Sequence, residues 1–457
     1  MLAIRLIPHF GIYFDEALFA PAVYQPDSSL VHISLFGVTL PVMVMGYVGA
    51  LKVYLWKLIF AVAAPSVWSI RFPMLLAATL SAGIWGQTLT GLGAKRAASV
   101  CIGLMLTSAS LLVSSTFDWG PAGLQLLLGA LAINLLARER YPLLAGFLIG
   151  LALWDKLTFG FAYGPILALL IWRRPRWEIA AGFLAGAAPL IYGLTKVSPA
   201  QELAISISPE LLWGRLSLMS TTLLGTGFAG FMTKGTSLPG FPPLFLLIVG
   251  LAFWLEGPWR RTRIGFGICL LASWCGMALF NNIGMSVHHT VLLLPVLCAL
   301  IALTVEDSGP MPWEAALLPL IAINLFCLYQ LGRDVPTARW SPLLNDLASR
   351  LEVRQPRVVV CEDWGFQNTI WLMSDGKMRP KTVKLSGEWQ QEDRNSVETA
   401  LSSPGTVFVS FAEENRIMPQ GHQSVEALAK QLGYAKASVE RVRGIIEFDT
   451  YFLKPRN

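Results

Sequence analysis

Hydrophobic and polar positions fall into two regimes along this chain of 457 residues. From about residue 70 to residue 332, apolar stretches of membrane-spanning length alternate with short polar breaks; beyond that, short strand and helix patterns take over. A span needs roughly 20 apolar residues, with about 17 as a floor. On that measure the pattern predicts about ten helices, near 72–93, 98–116, 120–137, 142–155, 157–173, 178–196, 241–257, 264–282, 288–305 and 312–331. The ranges 142–155 and 157–173 are short enough that one is expected to be tilted or partly re-entrant. In the tail, a helical stretch over 341–353 precedes the strand-like run RVVVCED; TVFVSF reads as a second strand, VEALAKQLG as a helix and IIEFDTYFLKP as a last strand. That order predicts a small α/β domain.

The stretch ahead of the spans is apolar in a different way. Residues 34–65 are interrupted by Pro41, Gly46 and Gly49 and carry Lys52 and Lys57. Breaks plus cations predict an amphipathic helix lying in the membrane interface, its lysines reaching up to head-group phosphates; an ordinary span with snorkelling lysines is the alternative. MLAIRLIPHF is too short for a signal sequence or a span, so a first span is expected to precede this chain, unless 35–50 itself crosses. The expected organisation is a first extracytoplasmic segment (1–71), a helical membrane domain (72–332) and a soluble extracytoplasmic α/β domain (333–457).

Composition fixes the class. Hydrophobic residues make up 54% and charged residues 14%, with mean hydropathy +0.55, about half the charge of a soluble domain, which makes this an integral membrane protein. Of 64 charged residues, 33 fall from Arg333 onward, so the boundary near 333 is sharp. The net charge of +6 is modest, and its basic residues cluster between apolar runs as KR, RER, RRPR and RRTR. Such clusters orient a protein in a bilayer and do not form a nucleic-acid surface. Loops holding Lys95-Arg96, Arg138 and Arg140, Arg173, Arg174 and Arg176, and Arg260, Arg261 and Arg263 alternate with loops around Asp118, Asp155-Lys156, 197–240 and 283–287 that are poor in Lys and Arg. The basic set is expected in the cytoplasm and the first segment and tail outside; the acidic Glu306-Asp307 loop fits that scheme poorly. The six cysteines lack CxxC spacing and read as small core hydrophobes.

Asp15-Glu16, in GIYFDEALFAPAVYQ, is the leading chemical candidate. Adjacent carboxylates beside Tyr13, Phe14 and Phe19 are too costly for lipid, so they belong at the mouth of the membrane domain. Cations on the same side are Lys52, Lys57, Arg71, Lys156 and the His288-His289 pair. Each has a plainer reading: Arg71 anchors a span, Lys57 snorkels, Asp155-Lys156 is a local ion pair. Glu16 equally suits a solvated or supporting role, and Asp118, beside Trp119 and Pro121, suits a helix cap. Adjacent histidines point about 100° apart on a helix, so only one can face a cavity. Asp363-Trp364-Gly365 repeats the tripeptide 118–120 without surrounding similarity, for which coincidence suffices. The tail has no GxGxxG, Walker, HExxH or GxSxG motif, and no internal repeat is visible.

In order and spacing, FDEA, PVMVMGYVGALK, RFP opening a span, FDWGP, LALWDKLTFG and HHTVLLLPVL resemble the GT-C glycosyltransferases over roughly residues 10–330. The nearest branch is the bacterial dolichyl-phosphate-mannose-protein mannosyltransferase-like group, which includes the aminoarabinose transferases of lipid A. The resemblance implies a polytopic inner-membrane enzyme that moves a sugar, with inversion, from a polyprenyl-phosphate donor to an extracytoplasmic glycan, lipid or protein acceptor. It makes Asp15 the general base, with Glu16 and Asp118 as further catalytic candidates, and Lys52, Lys57, Arg71, Lys156, His288 and His289 as ligands of the donor phosphate. A divalent cation stays open as a cofactor, because Asp15 and Asp118 without a further ligand do not make a metal site. Two rival classes remain: a transporter or flippase of a lipid-linked or anionic solute, against which the lack of repeated halves counts, and a membrane-anchored binding subunit working through its tail.

Overall fold

The computed structural model describes residues 2–173, 175–198, 205, 208–235, 240–280, 286–308 and 313–453. Arg174 and most of the loops 199–207 and 281–285 lie outside them. All ten predicted ranges are occupied by helix. Among the described residues, Val67–Gly91, Trp177–Leu194, Arg260–Leu279, Val287–Asp307 and Glu314–Arg333 are long and apolar enough to cross a bilayer. Lys95–Thr107 and Ala109–Thr116 are an apolar helix pair with a 57° bend between them. Two backbone donors at the bend are satisfied by side chains: Ser108 Oγ accepts Leu111 N–H (3.2 Å) and Asn324 Oδ1 accepts Ala109 N–H (2.9 Å). Ala122–Ala137, Pro142–Asp155, Thr158–Arg173 and Pro243–Trp254 are shorter apolar helices. Pro209–Leu224 is a helix that the hydropathy pattern left as loop, its apolar signal diluted by Arg215 and four hydroxyl residues between 217 and 222.

Helices Pro142–Asp155 and Trp177–Leu194 approach through two facing pairs of glycines, Gly146/Gly150 and Gly182/Gly186. A Cβ at Gly146 would lie 2.0 Å from the Ile179 carbonyl oxygen, and one at Gly182 2.0 Å from that of Leu143. Small residues four apart are what lets membrane helices bring their backbones together. This packing fixes the helix that ends at Asp155.

Residues 34–65 are not one interfacial helix. Val31–Leu35 (β1), Val38–Met45 (β2) and Val48–Gly49 (β3) form an antiparallel sheet, and only Leu51–Phe60 is helical. Alternating β-branched residues favour strands, and Phe36 and Gly37, both at positive φ (51° and 79°), supply the tight turn between β1 and β2. The sheet is docked on the membrane domain by Trp154 Nε1–H to the Val42 carbonyl (2.8 Å) and Leu157 N–H to that of Tyr47 (3.0 Å).

The tail folds as the expected α/β domain. Its strands are Val358–Cys361 (β4), Lys381–Thr382 (β5), Thr406–Phe411 (β6), Tyr434–Val442 (β7) and Ile446–Leu453 (β8), in the order β5-β4-β6-β8-β7. β4 runs parallel to β5 and β6; β8 is antiparallel to β6 and β7. The helix expected over 341–353 forms from Leu347 to Arg354. The edge strand β7 escaped the pattern because its sequence, YAKASVERV, is mostly polar.

First segment and tail domain are tied together. Gly11 N–H donates to the Trp340 carbonyl (2.7 Å), Ile12 N–H to Asn345 Oδ1 (2.9 Å) and Tyr24 OH to Asp375 Oδ1 (3.2 Å). At the other end of the bundle, Asp307 pairs with Arg263 (2.6 Å), both fully buried, and Glu306 accepts Ala97 N–H (2.6 Å). The acidic loop thus sits among the basic loops as their counter-charge.

Candidate active site

Two neighbouring carboxylates are sent to opposite jobs by one short helix, Phe14–Ala17. Glu16 turns inward and accepts from Tyr13 N–H (3.0 Å) and from both Nε (2.7 Å) and Nη2 (2.7 Å) of Arg71. The remaining Arg71 donors bind the carbonyls of Ile7 (2.5 Å), Phe10 (2.8 Å) and Gly11 (2.8 Å), and its guanidinium lies 4.5 Å from the centre of the Phe117 ring. All five N–H groups of Arg71 are used, and both side chains are fully buried. Neither Arg71 as phosphate ligand nor Glu16 as a working acid or base fits this geometry: they form the clamp that holds the 7–16 segment in place.

Asp15 faces the other way, about 100° round the helix. Its Oδ2 accepts the indole N–H of Trp119 at 2.6 Å, and Lys156 and Lys52 lie within electrostatic reach. Burial pushes the Asp15 carboxyl above its ordinary value; the Trp119 hydrogen bond and the two lysines partly offset that rise. Trp119 is itself held by stacking on His288 (4.8 Å, 15° between planes). No signal in the sequence marked Trp119 as the partner of Asp15.

Asp118 Oδ2 pairs with Lys52 Nζ at 2.6 Å, both fully buried, and Oδ1 accepts Gly123 N–H at 3.3 Å in the first turn of the next helix. Asp118 thus touches the first turn of that helix and meets Lys52 at once. Its φ of +41° stores backbone strain at this turn. Lys52 does not reach up to head groups as expected. Its ammonium lies 4.7 Å from the ring centres of both Phe19 and Trp56, inside the protein. Lys57 is five residues on, about 140° round the same helix and away from this cluster.

Lys156 reaches back over the 118–121 turn, its Nζ 3.4 Å from the Gly120 carbonyl, while Gln125 Nε2–H holds its own carbonyl (2.9 Å). In the turn between two spans, burial lowers its pKa to about 8 against the pull of Asp15, Asp155 and Asp118. The local Asp155–Lys156 pair is not formed. Asp155 is fully buried with no hydrogen-bond partner on either oxygen, in a field set by Asp118, Lys52 and Lys156. Of the histidines, His288 is half-buried, bonded to Ser286 Oγ through Nδ1 (2.6 Å) and stacked on Trp119; His289 is buried with both ring nitrogens unpartnered. His288 is thus the histidine in contact with Trp119.

The tail contributes too. Trp364 lies 4.5 Å from Phe14 and 5.2 Å from Tyr13, and Trp340 stacks on Tyr13 at 4.3 Å with 8° between planes. The second DWG thus brings a tryptophan to the segment that the first DWG serves from the other side. Among the described residues, the one grouping of three or more metal-type donors lies in the tail domain, away from this cluster.

A helical membrane bundle that carries an acid-bearing first segment, a small sheet against it and a tail domain over that end is also the fold of a solved structure, ArnT from Cupriavidus metallidurans in the apo state. The two match over 97% of this chain and 96% of that one, with a TM-score of 0.57 at 12% identity. No protein-family model and no curated protein sequence matches the chain.

Proposed function

We propose that this protein is a membrane glycosyltransferase that moves a sugar from a polyprenyl-phosphate carrier to an acceptor hydroxyl or amine outside the cytoplasm, with inversion, and that Asp15 is the general base. The observation that carries the reading is the Asp15 carboxylate, aimed by Trp119 and flanked by Lys52 and Lys156 at one end of a GT-C-type bundle. The acceptor's O–H or N–H gives its proton to Asp15 as the oxygen or nitrogen attacks C1 of the sugar from the face opposite the phosphate. A raised pKa makes Asp15 a stronger base. Charge builds on the departing phosphate oxygen, and Lys156 and Lys52 are the cations near enough to receive it. Asp118 is the counter-ion that holds Lys52 before the phosphate arrives, and His288 fixes the Trp119 ring.

A groove of about 600 Å³ supports the lipid end of this reading. It runs between the helices 142–155, 158–173 and 177–194, and its walls include Ile149, Leu153, Phe159, Leu167 and Phe183. Leu153 and Phe159, at one end of the groove, flank the Asp155-Lys156 turn, and Pro175, Arg176 and Trp177 line the other end; a polyprenyl tail with its head group at the first end would reach the site.

The test is bond cleavage without a bilayer. Protein in detergent, given a labelled polyprenyl-phosphate sugar and an extracytoplasmic acceptor fraction, should move label to acceptor and release polyprenyl phosphate, and Asp15→Asn should stop it. Intact donor across a broad acceptor screen, together with solute flux in sealed vesicles, would establish a transporter instead.

A further inference from the structure

We infer that the tail domain contains a divalent transition-metal site built from Glu362, His422 and Asp449. Glu362 follows β4, His422 lies in the first turns of the helix Pro419–Gln431, and Asp449 is in β8. One donor atom from each lies within 4.8 Å of the other two, and all three side chains are at most 2% exposed. The convergence is built in: a Cβ on Gly421 would sit 2.5 Å from the Glu362 carbonyl oxygen, so only glycine there lets the helix bring His422 against the strand end.

Two observations point to a cation ligand. Glu362 Oε1, Asp449 Oδ1 and the Tyr451 hydroxyl are buried without hydrogen-bond partners, a costly state for charged groups unless something else satisfies them. The charges also do not balance. Glu362, Glu426 and Asp449 face a single ammonium, Lys436, which sits 2.6 Å from Glu426 and 2.8 Å from Asp449. Even with His422 counted as an imidazolium between the two glutamates, three carboxylates face two cations and one negative charge is left over; as a neutral metal ligand it leaves two.

The imidazole lies between two carboxylates. Nδ1 faces Glu362 Oε2 at 2.6 Å, and Nε2 faces Glu426 Oε1 at 3.0 Å. A histidine that ligates through one nitrogen commonly donates the other N–H to a carboxylate that orients it. Here Nδ1, a Glu362 oxygen and an Asp449 oxygen are the ligands, and Glu426 is the positioning residue. Imidazole with two carboxylates selects Zn²⁺ or Mn²⁺ over Mg²⁺, which prefers oxygen and water. Lys436, with a partly exposed side chain, holds Asp449 in the metal-free protein and swings outward when the ion enters. Glu362 directly precedes Asp363-Trp364, so a bound ion stiffens the segment that lays Trp364 on Phe14.

The experiment uses the full chain, without a histidine tag, in detergent. After chelator treatment and dialysis against Zn²⁺, Mn²⁺ or Mg²⁺ alone, elemental analysis reads the metal retained and tryptophan fluorescence reads thermal unfolding. Wild type should retain one equivalent of Zn²⁺ or Mn²⁺ per chain and unfold at a higher temperature with it. Asp449→Asn should lose retention, and Glu426→Gln should weaken it about 10- to 100-fold. Lys436→Met separates the two accounts. Removing the competing ammonium should tighten metal binding and let the ion restore the stability lost with the lysine. If wild type and Lys436→Met both retain no metal, and Lys436→Met is destabilised equally with or without it, the cluster is a closed ion-pair network and the inference fails. Equal retention of Mg²⁺ would also overturn it, because imidazole would then not be a ligand.

Discussion

Asp15 and Glu16 differ by one position in sequence, and their substitution should separate chemistry from stability. Asp15→Asn keeps the Trp119 contact but removes the proton acceptor, so turnover should fall about 100-fold or more with little change in thermal unfolding. Glu16→Gln strands the buried Arg71 guanidinium and should cost about 3–5 kcal/mol, read as a large drop in unfolding temperature in detergent. The pH profile gives a second handle. As the proposed base, Asp15 acts as a carboxylate, so the rate should fall as pH drops through its raised pKa; Lys156, proposed to receive the phosphate charge and with a pKa lowered to about 8 by burial, should lose its charge above that pH and set an alkaline limb. Trp119→Phe removes a hydrogen bond that favours the ionised carboxyl, so the acid limb should move to higher pH. Lys156→Arg, charged throughout, should move the alkaline limb upward. A profile unchanged by either variant would detach these residues from the reaction.

At the scale of elements, the glycine contact between helices 142–155 and 177–194 carries the Asp155-Lys156 turn. Gly146→Val forces those backbones apart and should cost about 1–3 kcal/mol and lower activity, although residue 146 is far from Asp15 in the chain; unfolding and transfer assays on the same sample check both. Elements also mark where sequence was readable. The ten apolar runs between residues 72 and 331 are occupied by helix, because in lipid a run of that length has one way to satisfy its backbone. The 34–49 stretch misled because alternating Val, Met and Leu is apolar on both faces and is indistinguishable from a membrane segment by hydropathy alone. Asp15, Lys156 and His288 were legible as residues that lipid would reject. Trp119 and Trp364 were not, since an indole at a membrane boundary is unremarkable until its N–H or face is seen against a partner. Lys52 and Arg71 were correctly picked as unusual and misjudged in what satisfies them: buried acids, which no local pattern announces.

For the whole molecule, the pairing of Glu306 and Asp307 with the basic loops removes the one discord in the charge pattern and leaves residues 10–16 and the tail at the opposite end. A reporter active only outside the cytoplasm should therefore be active when fused after Asn457 and silent when fused after Arg263. The reverse result would turn the Asp15 site inward and remove the basis for an extracytoplasmic acceptor.

The hydrogen bond from Ile12 to Asn345 joins residues 333 apart in the chain, and this sets a clock for assembly. At roughly 5–20 residues per second of synthesis, Asn345 leaves the ribosome about 17 to 67 s after Ile12. Through that interval the strand of backbone beside Asp15 has made its own clamp with Arg71 but lacks its tail partners, Trp340, Asn345 and Trp364. Residues 340–364 are thus made well after Asp15, and a ribosome that stops short of residue 364 releases a membrane bundle whose Asp15 segment lacks the Trp364 wall.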